Sequence, residues 1–585
     1  MYRTYPHFWL PEVSIKTEPT LASTPGVSAS ISEDDPFKKR TCFLPHRQRD
    51  VPGASQPDND VLIVDWDGPD DPENPKKCAH LNLLFSWTMR RKWTTTALVS
   101  LFTFITPVAS TIIAPASTQV AQEFGITSSV TTALITSIFV LGYAIGPLIL
   151  GPFSEIYGRS HVLQLANLWY LAWNLGCSFA QTTPQLIAFR LLASLGGSAP
   201  LSIGGGVLGD MFAPEQRGQA LAIYSLAPLL GPVLGPICGA WIAERTTWRW
   251  AFWSTSFVDG GIAVAGFFFL YESFPPVLLA RKADRIRKAQ MDSEKGETHY
   301  KHIHTPFQNA DHTWKHILAK GLVRPFALFV REPILQLLGV YMAFSFGLLY
   351  IFLTTIPSIF EGVYGQDAGI AGLHYIALGL GIGGASQVNA HTMDRIYMYL
   401  KAKHGGAGRP EYRLPSMVPA TIFLPVGLLI VGWTVEYRVF WIGPDIGIVL
   451  VGAASILITQ SIQAYVIDAF TLHAASALAA VSTLRSFAGF GFPLFAPAMY
   501  AGLGWGRANT VLAGVAVLIG CPAPWLFWKY GQRMRAGSRR LGGGTQEAFD
   551  AAAPHSAFVA GLVLSKGNEQ SGTRGQRGTQ RLENI

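Results

Sequence analysis

The sequence predicts an all-α polytopic membrane protein with twelve transmembrane helices in two six-helix bundles. Three observations predict it: scarcity of charge, a series of long apolar stretches, and a long loop with a repeat that divides the series in half. Of the 585 residues only 14% are charged and 49% are hydrophobic, with a mean hydropathy of +0.27. An ordinary soluble domain carries about 25% charged residues. Aromatics make up 12%, including 16 Trp, and Trp and Tyr collect at membrane interfaces. The formal net charge of +8 could indicate a nucleic-acid partner. The basic residues sit in short loops between apolar runs, however, where orientation in a bilayer explains them, so no nucleic-acid partner is expected. Cys42, Cys78, Cys177, Cys238 and Cys521 are odd in number and widely spaced, without a disulfide framework or zinc spacing.

Residues 1–92 carry Pro, Ser, Asp and Glu without hydrophobic periodicity, which predicts a disordered cytosolic arm and no cleavable signal peptide. Arg90 to Trp93 closes the arm at the membrane edge. A hydrocarbon core of ~30 Å takes about 20 apolar residues as a helix. Twelve stretches qualify: 94–114, 129–150, 161–181, 184–208, 218–243, 251–271, 333–356, 371–391, 417–436, 443–465, 475–500 and 509–528. Several hold Pro and Gly, which packed membrane helices tolerate. With the N-terminus inside, the inner segments hold Arg90, Arg91, Lys92, Arg159, Arg217, the dense 281–331 loop, the 395–413 loop and Lys529 to Arg540. The outer loops hold only Arg245, Arg249, Arg438 and Arg507. This bias puts both termini in the cytosol.

The longest loop, 273–332, separates an N-terminal bundle over 93–272 from a C-terminal bundle over 333–530. A Gly-, Ser- and Gln-rich cytosolic tail is expected to be disordered over 531–585. "DMFAPEQRGQALA" from Asp210 and "DAFTLHAASALA" from Asp468 begin at the inner ends of spans 4 and 10. Their likeness supports a duplication, and six-plus-six bundles with substrate between the halves are a transporter architecture.

"GPFSEIYGRS", Gly151 to Ser160, closes span 2. Gly151 and Gly158 bracket a tight turn, and Glu155 and Arg159 fall at the cytosolic interface. A snorkelling end-of-span pair is one reading. The stretch also resembles the loop 2–3 signature of the major facilitator superfamily, Gly-x-Leu-x-Asp-x-x-Gly-Arg, with Glu155 for the usual Asp and Phe153 for the usual Leu. "APLLGPVLGPICG" in span 5, with Gly231, Pro232 and Gly235, resembles its antiporter signature, and "IAFRLLASLGG" around Arg190 its span-4 signature. "ENPKKC", "ESFPPVLLARKA", "RLPSMVPATIFLPVGLLIVGW" and "STLRSFAGFGFPLFAPAMY" are similar to the fungal branch of the twelve-span drug:proton antiporters. The resemblance covers about residues 61–531.

The resemblance implies a major facilitator fold and a cytosolic gate of Gly151, Glu155, Gly158, Arg159, Asp210, Arg217 and Asp468. In that gate Glu155 faces the N-terminus of span 11 and Arg159 bridges to Asp210, joining the halves. Small residues at 227, 231, 235 and 239 allow close helix approach, and the resemblance adds a bias towards exchange. Intramembrane ionisable residues are functional candidates, here Arg190, Asp259 and Arg485. The resemblance associates Arg190 with proton coupling, and a partner for backbone carbonyls is its structural alternative. Asn174, Gln460 and Gln463 are candidates to line a proton or substrate path, with interhelical hydrogen bonding as the alternative.

The implied function is proton-coupled efflux of small organic molecules, such as a drug, toxin or secondary metabolite. Proton-driven nutrient uptake is the alternative. A remoter one is a His-box oxidase or desaturase built on His299, His302, His304, His312 and His316. No ATP-binding loop is present. The expected partners are a small-molecule substrate, protons and the lipid bilayer, with no cofactor, metal or enzymatic activity. The protein is expected to function as a monomer in the plasma membrane, although a vacuolar membrane would give the same spans.

Overall fold

The start of the first span shows how the helices are set. In the computed structural model the Thr88 hydroxyl accepts from the Arg91 backbone N–H at 3.4 Å, capping α1, Met89–Thr111. Such a side chain satisfies one of the amides that a helix start leaves open. The structure describes residues 61–67, 71, 73–76, 88–212, 214–292, 302–307, 314–405, 408–470 and 473–535. After α1 come the short α2, Ser117–Glu123, and then α3, Ser129–Tyr157, and α4, Arg159–Ser178. Span 4 is two helices, α5, Thr183–Gly197, and α6, Ala199–Met211. The break falls just before Pro200, which cannot donate a helix hydrogen bond. α7, Pro214–Arg245, and α8, Arg249–Phe269, complete the first half.

The second half opens with α11, Pro333–Pro357, which runs into a π-helical turn, Ser358–Val363. Next are α12, Ala368–Leu373, and α13, Tyr375–Lys403; a 3-10 stretch, Pro410–Met417, leads to α14, Val418–Glu436. α15, Ile442–Ala469, and α16, Ala474–Gly520, follow. α16 is two rods, because Gly504 sits at φ 78°, a conformation that favours glycine. Among the described residues ten helical stretches are long and apolar enough to cross a membrane, the last being Ala474–Arg535. Dividing that stretch at Gly504 and adding the more polar α4 gives the twelve spans the sequence predicts. Spans 5, 8 and 10 extend past their expected ends, to Arg245, Lys403 and Ala469.

Three expectations are corrected. The arm is not structureless throughout: β1, Val61–Ile63, pairs in parallel with β2, His302–His304. The central segment 273–332 is not only loop, since it contains α9, Pro275–Asp292, and α10, Trp314–Arg331. The helix that ends the bundle continues past 531 to Arg535, where the Arg535 guanidinium bonds Glu411 at 2.6 Å; the rest of the tail lies outside the described residues. The arm segment is also tied to α9. Lys282 reaches Asp71 at 3.0 Å and Asp67 at 2.7 Å, and Arg285 reaches Glu73 at 2.7 Å. Val64, Ala283 and Ile303 are buried together beneath these pairs. Within each half the spans pack round apolar clusters, with Phe102, Phe139, Tyr170 and Phe212 in the first and Leu338, Phe352, Leu428 and Ile458 in the second. The halves meet along α3 with α16 and along α7 with α13.

Candidate functional site

Alternation of the spans brings Gly158, Asp210, α9, α10, Asp468 and Arg535 to one end of the bundle, called here the terminal end. At this end Gly158 has φ 97° and links α3 to α4. An added Cβ there would stand 2.3 Å from Glu272 Oε2, so glycine is required twice over. Glu272 is buried and accepts four backbone N–H groups, from Arg159 at 2.9 Å, Ser160 at 3.2 Å, Ser273 at 3.0 Å and Phe274 at 3.0 Å. It is the anion that caps a helix N-terminus here, and the helix is α4. Open N–H groups and the helix dipole favour negative charge at such a position.

Arg159 turns away from its own helix. Its Nε donates to Asp210 Oδ2 at 3.3 Å, its Nη1 donates to Ser154 Oγ at 2.7 Å, and its guanidinium lies 4.8 Å from the Phe274 ring centroid. Arg217 donates to the Gly209 carbonyl at 2.9 Å. The second half repeats the device. Asp468 Oδ2 accepts from Arg413 Nε at 2.9 Å, and Arg413 Nη1 reaches Asp394 Oδ1 at 2.5 Å. Each half therefore ties the turn after its own second span to the end of its own fourth.

One part of the expected latch across the halves is corrected. Arg159–Asp210 lies within one half. Glu155 is exposed on the last turns of α3 and bonds no cation among the described residues. Its neighbour Ser154 is the one buried. Gly151 has no neighbour within 4 Å of an added Cβ, so it is not held by close packing. What crosses the seam at the terminal end is α10. An added Cβ on Gly321 would lie 2.2 Å from Pro152 Cγ of α3. Arg324 pairs with His473 Nδ1, on the residue just before α16.

The small residues of span 5 sit against span 1. An added Cβ on Gly231 would lie 2.6 Å from Pro107 Cβ, on Gly235 2.5 Å from Thr111 Oγ1, and on Gly239 1.9 Å from the Ile112 carbonyl oxygen. α7 and α1 thus touch backbone to backbone, and Pro228, Pro232 and Pro236 lie inside α7.

At mid-depth Arg190 is 1% exposed. It donates to the carbonyls of Ser110 at 2.9 Å, Thr136 at 3.4 Å and Ala109 at 3.5 Å, between the rings of Phe139 and Phe252. The carbonyl-partner reading is the one its geometry matches. Asp259 on α8 is fully buried and accepts from Asn167 Nδ2 of α4 at 3.2 Å, while its Oδ1 has no hydrogen bond. Asn174 donates to Ser256 at 2.8 Å and Thr255 at 3.0 Å. Gln460 links Asn389 at 2.8 Å and Ser386 at 2.7 Å. Asn174 and Gln460 therefore staple helices within a half; Asn174 is buried, while Gln460 and Gln463 are both half-buried. Arg485 of α16 lies 4.5 Å from the Phe346 ring centroid. Tyr350 is within electrostatic reach of both Arg190 and Arg485.

Among the described residues no three His, Cys, Asp or Glu are grouped to hold a metal. His299 and His312 lie outside the described residues, and His302 and His304 stand in β2.

Two helical bundles with guanidiniums at mid-depth and a charge tie repeated at one end define a polytopic membrane transporter. The model of the Major Facilitator Superfamily matches residues 99–493. The chain belongs to that superfamily and groups with its fungal efflux transporters. It is 44% identical over 84% of its length to the efflux pump vrtL of Penicillium aethiopicum, covering 94% of that protein. It is 40% identical over 82% of its length to the efflux pump radE of Floropilus chiversii, covering 86% of that one. Among solved structures a D-xylose–proton symporter superposes with a TM-score of 0.54 over 75% of this chain and 97% of that one, at 16% identity, a likeness of fold alone.

Proposed function

We propose that the protein exports small organic molecules, drugs, toxins or secondary metabolites, by proton-coupled alternating access. The observation that carries the reading is the meeting of the two halves, each with its own end tie, around the mid-depth cluster of Arg190, Tyr350 and Arg485. Two rigid bundles that touch only along a seam can rock about a site held between them. Cargo then shifts the equilibrium by binding the two states unequally. The naming of its relatives as efflux pumps supports the outward direction, and the Gly-Pro packing of α7 on α1 fits a dry face that resists leak.

In this reading the terminal end is cytosolic, and Arg159–Asp210, Arg217 and Arg413–Asp468 stiffen the moving ends of the two halves, with α10 across them. Asp259 is the proton-carrying acid, since it is the mid-depth carboxylate among the described residues and has one oxygen without a hydrogen bond. The protein acts as a monomer in the plasma membrane. The test is resistance of expressing cells to a panel of toxic compounds at several external pH values, with labelled-compound accumulation alongside. Export predicts reduced accumulation that depends on the proton gradient. Faster accumulation in expressing cells means import, and indifference to external pH removes the coupling.

A further inference from the structure

Arg485 stands eleven residues beyond Ala474 in α16. At 1.5 Å per residue this is roughly 16 Å from the helix start, about the middle of a ~30 Å core. This part of α16 faces the other half. Thr483 Oγ1 donates to the Ala144 carbonyl of α3 at 3.4 Å, and an added Cβ on Gly489 would lie 3.2 Å from Val140. Arg485 is only half-buried at this depth, so part of its surface fronts open space between packed helices. Its Nε has no hydrogen bond, and among the described residues no carboxylate pairs with it. Arg190, the other mid-depth guanidinium, is committed to three carbonyls. Asp259 is turned to Asn167 within the first half. The seam therefore carries uncompensated positive charge with unused donors, beside the ring of Phe346 at 4.5 Å, which itself lies 5.0 Å from the ring of Tyr350.

We propose that Arg485 is the recognition cation for anionic cargo, and that the substrates are amphipathic aromatic acids. The guanidinium takes the carboxylate or phenolate, and Phe346 and Tyr350 take the adjoining ring. A guanidinium fork matches a carboxylate in a way that neutral groups do not, and the low dielectric of the core strengthens the pair. A cationic cargo of the same shape meets repulsion. The proposal deepens the transport reading and rests on it.

The test uses the full chain in lipid nanodiscs and three labelled probes of one shape: 2-naphthoate, 2-naphthamide and 2-naphthylmethylammonium. Naphthoate is expected to bind at least about tenfold tighter than the other two, the scale of one charge-assisted contact. Arg485→Gln should erase that preference, with naphthamide binding little changed. Arg485→Lys should keep the preference at reduced strength, and it serves alone if the Gln variant does not fold. Equal binding of the three probes, tighter binding of the cation, an unchanged preference in the Gln variant, or no binding of any probe to the wild-type protein overturns the proposal. Flux of the same probes in proteoliposomes is a separate reading. Naphthoate that binds without crossing under any proton gradient removes the transport function and leaves Arg485 as the anion site.

Discussion

Arg159 and Glu155 are four residues apart in sequence, and the fold gives them opposite fates. Arg159 turns inward to Asp210, while Glu155 stays at the surface. Glu155→Gln should therefore leave flux at the wild-type level and shift stability by no more than about 0.5 kcal/mol, as surface changes do. Asp210→Asn breaks a partly shielded pair, with the two side chains 13% and 20% exposed. It should cost about 1–2 kcal/mol, at the low end for hydrogen bonds to charged groups because water still reaches the pair. Surface expression should persist while transport falls, read by labelled-substrate flux against cell-surface labelling. Glu272→Gln should lower the melting temperature in detergent, losing about 1–3 kcal/mol as four amide donors face a neutral side chain. The Arg159–Asp210 pair was legible, because the turn motif and the repeated Asp supplied both partners. Glu272 was visible only as one letter of "ESFPPVLLARKA". Its use depends on a turn 113 residues earlier in the chain, a proximity no local pattern encodes.

At the scale of elements, the long apolar spans were legible because apolar length is the signal for crossing a bilayer. The four-residue spacing of small residues in span 5 was legible too, although not its partner, which is α1. Gly235→Leu places a side chain where even a Cβ meets the Val108 carbonyl oxygen at 2.6 Å. Overpacking of this kind costs about 1–3 kcal/mol or more. The variant should lose surface expression or, where it reaches the membrane, flux. α9 and α10 were missed because their sequences, rich in Lys and Arg with apolar residues between, read equally well as an oriented loop. What makes them helices is packing on neighbours distant in sequence: β1 for the α9–β2 unit, and α3 and α16 for α10. The burial of Ser154 beside an exposed Glu155 has a related cause, since the phase at a helix end is fixed by what the preceding turns bury.

Across the whole molecule the division into halves follows from the sequence, but the joining of its ends does not. The arm segment is held to α9 by Lys282 between Asp67 and Asp71. Burial alone would raise the Asp71 carboxyl, yet the N–H groups of Asp67 and Glu73 and the Lys282 ammonium outweigh it and hold the group below its ordinary 3.8. Burial would lower Lys282, but both carboxylates outweigh it and the ammonium is held above 10.5. The Asp71 contribution is thus complete above 3.8 and lost as pH falls through its depressed value. The Lys282 contribution is complete below 10.5 and lost as pH rises through its elevated one. Limited proteolysis within α9 should therefore be slow and constant across neutral pH and quicken in acid. Deleting 1–60 should leave both flux and that cleavage pattern unchanged, whereas deleting 1–76 should speed the cleavage. α10 has a different consequence, one of register. It meets α3 through Gly321 and α16 through Arg324, residues on nearly the same face. Each residue of an α-helix turns that face by about 100°, so removing one residue between Gly321 and Arg324 would leave at most one of the two contacts in place. Between those two contacts α10 is therefore fixed in length by its phase, and a chain lengthened ahead of α10 by flexible residues and one lengthened inside it would not be equivalent proteins.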